Sequence, residues 1–503
     1  MYLAINDVWT FFINALIVFF TAFTSATISV ICGITLAYLA RPKGWYVATL
    51  ALLLIPFASG STVWAYSYAF VADITNIKST LLTNGTELRS FSFLVLSLSR
   101  TIPLGTFFCA TLLHRYVADI HSYVIVHKIN FVLFLLTGIK QIPVSIVLLI
   151  GAFSGAIVAT ESSIPIFIYR ANPGTPPESI NILLSRLFRE MYATSGGETI
   201  VIIAGLGILI SVSLVGCSFL GARLARKILL TLANYIQRRM PSVQFGKIIL
   251  AVFSCLLVSL LVPSVVFFLG IISSIVFDVP SITDLSSTIY KYSGTLINSV
   301  LIGITIMIIS IAIAIKLRYS KSGNIDFIEK NQISTLILVL PAFLPVMTIV
   351  ALIGTVTKGE SSGFVGYLTY YIAQILLHYP IFQFMAFSII ASIPKSHVEW
   401  QRNLKLSFLF SLITDGYKRN RTLIYSLVGI AAVQIVTDGS LSRWFNNLIN
   451  STEEAFYSSL FGRNSNAYDA EILAMCITLS AIILSIFISS FYMRDLYTRL
   501  SDA

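Results

Sequence analysis

Four ionisable residues stand where an apolar chain least tolerates them. Glu161 closes the apolar run "IVATESS" (157–163), and Asp438 closes a second, "IVTDGS" (435–440). Arg100, in "SLSRTIP", and His378, in "LLHYP", lie deeper inside apolar stretches. Ionisable groups within a membrane segment are costly, turn toward the protein interior and are functional candidates by default. Arg100 could bind an anionic substrate, pair with an acid, or donate to backbone carbonyls freed by Pro103. For His378 a structural role is the expectation. Glu161 and Asp438 also serve simply as the polar residue that a helix needs where it leaves lipid.

The motifs of enzymatic chemistry are missing. The chain has no G-x-x-x-x-G-K-[ST] loop to cradle a nucleotide phosphate, no H-E-x-x-H, no paired cysteine motif and no G-x-S-x-G in a strand-to-helix context. His114, His121 and His127 share one connection, but their spacing is not that of a metal site. Cys32, Cys109, Cys217, Cys255 and Cys476 all lie in apolar segments and read as small packing residues. Catalysis by this chain is not expected, nor is a metal site or a cofactor of its own.

The surrounding chain explains the cost of those four residues. Of its 503 residues 56% are hydrophobic and 11% charged, with a mean hydropathy of +0.87. A soluble domain is about 25% charged. Apolar stretches long enough to cross a hydrocarbon core of about 30 Å recur near 12–40, 48–70, 91–113, 142–160, 198–219, 248–277, 295–316, 333–355, 366–391, 422–437 and 472–493. Eleven crossings put the chain ends on opposite sides. One set of connections holds 23 of the 33 Lys and Arg residues, and such connections stay in the cytoplasm. The expectation is therefore an all-α polytopic membrane protein, amino terminus outside and carboxyl terminus inside. The net charge of +11 is then a topology signal and requires no nucleic acid.

The two acids are 277 residues apart, and that shift aligns more than the acids. It brings Arg41 onto Arg318, Pro103 onto Pro380, Phe107 onto Phe384, Lys128 onto Lys405, Phe131 onto Phe408 and Thr160 onto Thr437. Constant register over matching spans and loops points to two parallel pseudo-repeats, a known transporter design. The organisation expected is a first lobe at 1–230, a linker with one extra span at 231–293, and a second lobe at 294–503. The extra span returns the chain to the outside before the parallel copy begins.

Two connections occupy equivalent places, "RYVADIHSYVIVHKIN" (115–130) and "SIPKSHVEWQRNLKLS" (392–407). Each mixes charge with apolar residues and is long enough for a short helix across the membrane face. Outside, "PESINILLSRLFREMYA" (177–193) sets Ile180, Leu183, Leu184, Leu187, Phe188 and Met191 at helical spacing. That amphipathic helix would cover the lobe's own spans or receive a soluble protein.

With these residues in place the chain resembles the fused, two-lobed permeases of bacterial ATP-binding-cassette importers of the iron(III) and thiamine type. Each lobe of that family carries a cytoplasmic E-A-A-x-x-x-G loop, an I-x-L-P about nineteen residues on, and an acid at the end of the next span. Counting back from Glu161 and Asp438 puts the L-P region at Thr137-Gly138 and Thr414-Asp415, and the loop's glutamate at Asp119 and Ser396. Ile125 and Arg402 stand at the glycine position, and the proline is absent from both lobes.

The resemblance implies that Asp119, Ser122, Tyr123 and Lys128 in one lobe, and Ser396, Glu399, Trp400 and Lys405 in the other, contact a separate ATPase dimer. That dimer would bind the ATP and Mg. Glu161 and Asp438 would lie near the outer mouth of a pathway between the lobes. A periplasmic or extracellular binding protein would deliver the solute, ferric ion or another small molecule, across the bacterial inner membrane. The rival expectation is an ion-coupled secondary transporter of parallel-repeat design. Such carriers hold carboxylates at mid-membrane, whereas the acids here are read at or beyond span ends.

Overall fold

The computed structural model describes residues 5–39, 43–60, 63–64, 94–110, 130–142, 144–160, 180, 183–184, 187, 198–239, 243–277, 282–319, 339–357, 363–391, 393, 395–437 and 476–491. Among them every regular element is helical, and there is no strand. Four helices are long and apolar enough to cross a membrane, Val8–Tyr38, Ile200–Gln237, Gly246–Ser273 and Ser293–Lys316; two bent helix pairs raise the number to six. The helices at Trp45–Ala58, Leu94–Ala110 and Cys476–Phe491 are apolar but shorter than the roughly 20 residues a crossing needs.

Two clusters of helices organise the chain. In the first half, α1 (Ile5–Tyr38) is followed by α2 (Lys43–Ala58), α3 (Leu94–Ala110), α4 (Phe131–Gln141), α5 (Val144–Thr160) and α6 (Glu198–Arg239). Helices α1, α5 and α6 pack on one another. Small residues allow the close approach. A Cβ on Gly151 would lie 2.6 Å from that of Ala222, one on Gly155 2.9 Å from that of Ser218, and one on Gly221 2.5 Å from the Phe19 carbonyl oxygen. Glycine, alanine and serine at helix seams are what helix association in lipid requires, because apolar bulk by itself gives no preference there for protein over lipid.

At 42 residues, α6 is about 63 Å long, twice the hydrocarbon thickness. A connection was expected from residue 219 on the strength of its basic residues. The helix instead continues through Arg223, Arg226 and Lys227. Leu, Ala, Lys and Arg are strong helix formers, so the charges mark where the helix leaves the apolar layer and not where it stops.

After α7 (Val243–Phe277) and the short α8 (Ile282–Lys291), the second half comprises α9 (Ser293–Tyr319), α10 (Val346–Thr357), α11 (Gly363–Ala391), α12 (Lys395–Asn403), α13 (Phe408–Lys418), α14 (Arg421–Thr437) and α15 (Cys476–Phe491). Both α11 and α14 pack on α9, and Thr305 Oγ1 lies 2.8 Å from the Tyr371 hydroxyl. The expected span at 333–355 is helical only in part where it is described. Pro341 and Pro345 confine the chain to a 3₁₀ turn, Leu340–Phe343, before α10 begins, since proline fits a helix start but interrupts its interior.

One apolar core joins the two halves. Phe384 meets Phe108 at 4.3 Å and Phe153 at 5.1 Å between ring centroids, and Phe57 meets Phe382 at 5.9 Å. Ser211 of α6 donates to the Phe343 carbonyl at 3.0 Å. Of the expected outer helix, Ile180, Leu183, Leu184 and Leu187 are helical and buried, and Leu183 and Leu187 pack with Ile203, Ala204 and Ala351.

Each half contains an elbow. Helices α4 and α5 meet at 85°, and α13 and α14 at 77°. The ends coincide under the 277-residue shift: Phe131–Gln141 maps onto Phe408–Lys418, and Val144–Thr160 onto Arg421–Thr437. The first elbow has Pro143 at its corner, and Ile142 ahead of it is extended (φ −62°, ψ 122°), as a residue before proline must be. The second elbow has no proline.

Candidate functional site

Helix α12 occupies the second of the two connections singled out by sequence. Val398 and Gln401 are buried, while Glu399 and Trp400 are exposed, Trp400 by 53%. The Trp400 ring stacks on His397, centroids 5.8 Å apart. The helix ends in a Schellman motif, in which the Lys405 N–H donates to the Arg402 carbonyl at 2.9 Å and the Leu406 N–H to the Gln401 carbonyl at 3.2 Å. That motif needs a left-handed residue, usually glycine; Lys405 supplies it with φ 49°. Ser407 then caps α13, its Oγ accepting the Phe410 N–H.

The buried face of α12 is fastened to one carboxylate. Asp415, 4% exposed, sits in the π-helical part of α13, Leu412–Lys418. Its Oδ2 accepts from the Tyr319 hydroxyl at 2.6 Å and from Gln401 Nε2 at 2.5 Å. Its Oδ1 lies 3.0 Å from His397 Nε2. Ser411 Oγ donates to Gln401 Oε1 at 2.8 Å, and Asn420 Nδ2 donates to the Asp415 carbonyl at 2.7 Å. The end of α9, helix α12, helix α13 and the corner of the elbow therefore converge on a single acid. A buried carboxylate is tolerated only when charged or hydrogen-bonding groups surround it, and this one has two side-chain donors and the His397 ring nitrogen.

The wide π turn makes the arrangement possible. Its i→i+5 bond, Arg419 N–H to the Thr414 carbonyl, admits one extra residue and turns Asp415 toward α12. π-bulges occur frequently at functional sites.

The other residues expected to contact an ATPase divide by position. Asp119, Ser122, Tyr123 and Lys128 lie outside the described residues, as do Glu161 and Asp438. Ser396 is within α12, though its side chain is not among those described. Glu399 and Trp400 are exposed on α12, and Leu404, 52% exposed, and Lys405 are exposed just beyond its end.

Arg100 lies at the seam between the halves. It is 9% exposed, and its Nε donates to the Pro56 carbonyl at 3.1 Å. From the opposite half, Gln434 Nε2 donates to the neighbouring Phe57 carbonyl at 2.7 Å. Both side chains satisfy carbonyls that the end of α2 leaves without helical partners. Arg100 thus meets a carbonyl on another helix, where the expectation had been carbonyls freed by Pro103. Just beyond, Gly60 has φ 69°, and a Cβ there would fall 2.1 Å from Thr437 Oγ1, so the end of α2 presses directly on the end of α14.

His378 is buried, 6% exposed, within α11. On the same helix Gln383 is fully buried, and neither its Nε2 nor its Oε1 has a hydrogen-bond partner among the described residues. It lies between Phe382 and Phe384, which reach across the seam. Sequence reading passed over Asp415 and Gln383. Gln383 could have been found as an amide amid "PIFQFMAF", in a stretch otherwise without polar side chains. Among the described residues no group of three or more His, Cys, Asp or Glu side chains could hold a metal ion.

Comparison with family models, with curated proteins and with solved structures returned no match.

Proposed function

We propose that this chain is the permease subunit of an ATP-driven importer, two pseudo-symmetric lobes enclosing one pathway. In this reading eleven crossings leave the amino terminus outside and the carboxyl terminus in the cytoplasm of a bacterial cell. The exposed edge of α12, with Glu399 and Trp400, receives one subunit of a separate ATPase dimer, and residues 116–128 receive the other. A binding protein delivers a small solute, ferric ion among the candidates, at the outer face. The seam at Arg100, Gln434 and Gln383 is the part of the pathway for which the described residues provide polar groups.

The observation that carries the reading is the pair of elbows in 277-residue register, one of them rigidly tied to an exposed short helix at the place where this permease type contacts its ATPase. Through Asp415, a displacement of α12 is passed to α9 and α14 together. Bidirectional coupling needs such a joint, and an ordinary surface loop has no use for one.

A buried acid also favours the rival, an ion-coupled carrier, more than the sequence did. The hydrogen bonds of Asp415 weigh against that assignment, because its oxygens are occupied by Tyr319, Gln401 and His397. Reconstitution separates the two. The purified chain in liposomes should neither hydrolyse ATP nor accumulate solute down a proton or sodium gradient. Uptake driven by a gradient, and abolished by Asp415→Asn, would establish the carrier instead.

A further inference from the structure

At the basic end of α14 a cavity of about 710 Å³ opens between α13, α14 and α15. One wall carries Lys418 and Arg421 with the phenols of Tyr417 and Tyr425; the facing wall is Leu484 and Phe487. Thr422 and Ser426 complete the polar side, and among the described residues none that lines the cavity is acidic. The two phenol oxygens hydrogen-bond to each other, so one hydroxyl hydrogen remains for an occupant. The first turn of α14, from Arg421, adds the positive end of its dipole at the cationic end of the cavity.

The chemistry asks for an occupant that is anionic at one end and apolar at the other. A small soluble anion would satisfy the cationic wall and leave Phe487, 55% exposed, in water. The exposed apolar surface continues along α15 at Ile483 and Ile486, 55% and 47% exposed, as it would on a face turned to acyl chains. The run "YKRNR" (417–421) places three cations where an apolar helix begins. Clusters of Lys and Arg beside a membrane segment, and basic pockets between such helices, recognise anionic lipid headgroups.

We propose that this cavity is a binding site for an anionic phospholipid, its phosphate against Lys418 and Arg421 and one acyl chain along Leu484 and Phe487. The assignment depends on the apolar helices lying in a bilayer and is independent of what the protein transports. It gives the corner between α13 and α14 a lipid ligand three residues from Asp415.

The test uses the full chain, purified in detergent and stripped of lipid, with retained lipids counted by native mass spectrometry. Phosphatidylglycerol should be retained about tenfold or more over phosphatidylcholine, and the double variant Lys418→Gln, Arg421→Gln should lose that preference. Inorganic phosphate and glycerophosphoglycerol, which have the charge without the chains, should fail to displace the lipid at equal concentration. Equal retention of the two lipids overturns the proposal, and displacement by phosphate alone replaces it with a soluble-anion site. Because the variants could fold poorly, a photoactivatable phosphatidylglycerol is also cross-linked to the unaltered protein. Adducts at 417–426 or 483–487 support the site; adducts only elsewhere overturn it.

Discussion

The two elbows have nearly the same shape and almost opposite chemistry. At the first, Tyr38 packs between Phe131 and Phe134, with ring centroids 5.0 and 5.3 Å away, and Gly138 faces Ile34. At the second, the 277-residue shift puts Ser411 for Phe134, Asp415 for Gly138 and Asn420 for Pro143. The close approach to the neighbouring helix survives, but one residue later, at Gly416 against Ile311 and Ile315. A π turn accounts for that offset, since it accommodates one extra residue. Among the described residues the first corner is packed by apolar side chains. The second is held by a polar joint that also captures α12. Shape has been kept while the means of holding it has diverged, and the polar joint is the one tied to the proposed contact helix.

The hardest way to break this contrast is to transplant the acid. Gly138→Asp puts a carboxylate beside Ile34, where the added Cβ alone would lie 3.1–3.3 Å from that side chain. The shift places Pro42 and Val124, which have no side-chain donor, at the positions of Tyr319 and Gln401. The expected loss is about 4 kcal/mol or more, from overpacking and an unpaired buried acid. Thermal unfolding in detergent should show it as a large fall in midpoint or a failure to accumulate folded protein. Unchanged stability would mean that the first corner has polar partners after all.

Removing the acid from its own site comes next. Asp415→Ala removes the acceptor that Tyr319, Gln401 and His397 share, at a cost of about 3 kcal/mol. The loss should be local before it is global. Limited proteolysis between residues 403 and 408 should speed up well below the unfolding temperature as α12 detaches. Should α12 stay protected in that variant, Val398 and the Schellman stop hold it without the joint.

The helical, membrane-length character of the chain was legible in the sequence, and what was missed has physical reasons. The register could be read because Thr160 and Thr437, Phe131 and Phe408 occur at one constant shift, and the helix ends coincide with it. The joint could not be read. Asp415 bonds residues 96, 18 and 14 positions away, and no local pattern announces such pairing. In "ITDGYK" the Asp-Gly pair looks like a turn, and it falls where a family proline was sought. The extent of α6 was missed because basic residues report the edge of the membrane, whereas helix propensity decides where the helix ends. Seven of the twelve candidate residues fall in segments or side chains outside those described; of the remaining five, Glu399 and Trp400 are exposed on α12, Lys405 forms its stop, Arg100 lies on the seam, and His378 is buried in α11.

A third change separates the contact role from the fold. Trp400 is half exposed and touches His397 on one side, so Trp400→Ala should alter stability by no more than about 1 kcal/mol. Capture of the ATPase should nevertheless fall sharply, since exposed aromatics of this kind act as interface anchors. Full capture and full uptake by the variant would leave α12 as a brace for the elbow and remove it from the proposed interface.

The smallest effect is expected at Lys405, and its sign is informative. A lysine with φ 49° carries a Cβ in the left-handed region, at a cost of about 1 kcal/mol that glycine would not incur. Were Lys405 retained only to stop α12, Lys405→Gly would raise stability by up to that amount and leave every other property alone. Its side chain, however, is exposed as those of Glu399 and Trp400 are, and the 277-residue shift equates it with Lys128. A cation held in an unfavourable backbone conformation is expected to have a use beyond ending a helix. Lys405→Gly should therefore melt slightly higher than the unaltered chain while capturing the ATPase less well, and Lys405→Asn, which tolerates the left-handed region, should weaken capture in the same way. A gain in stability with undiminished capture would assign Lys405 to the helix stop alone and narrow the contact edge to Glu399 and Trp400.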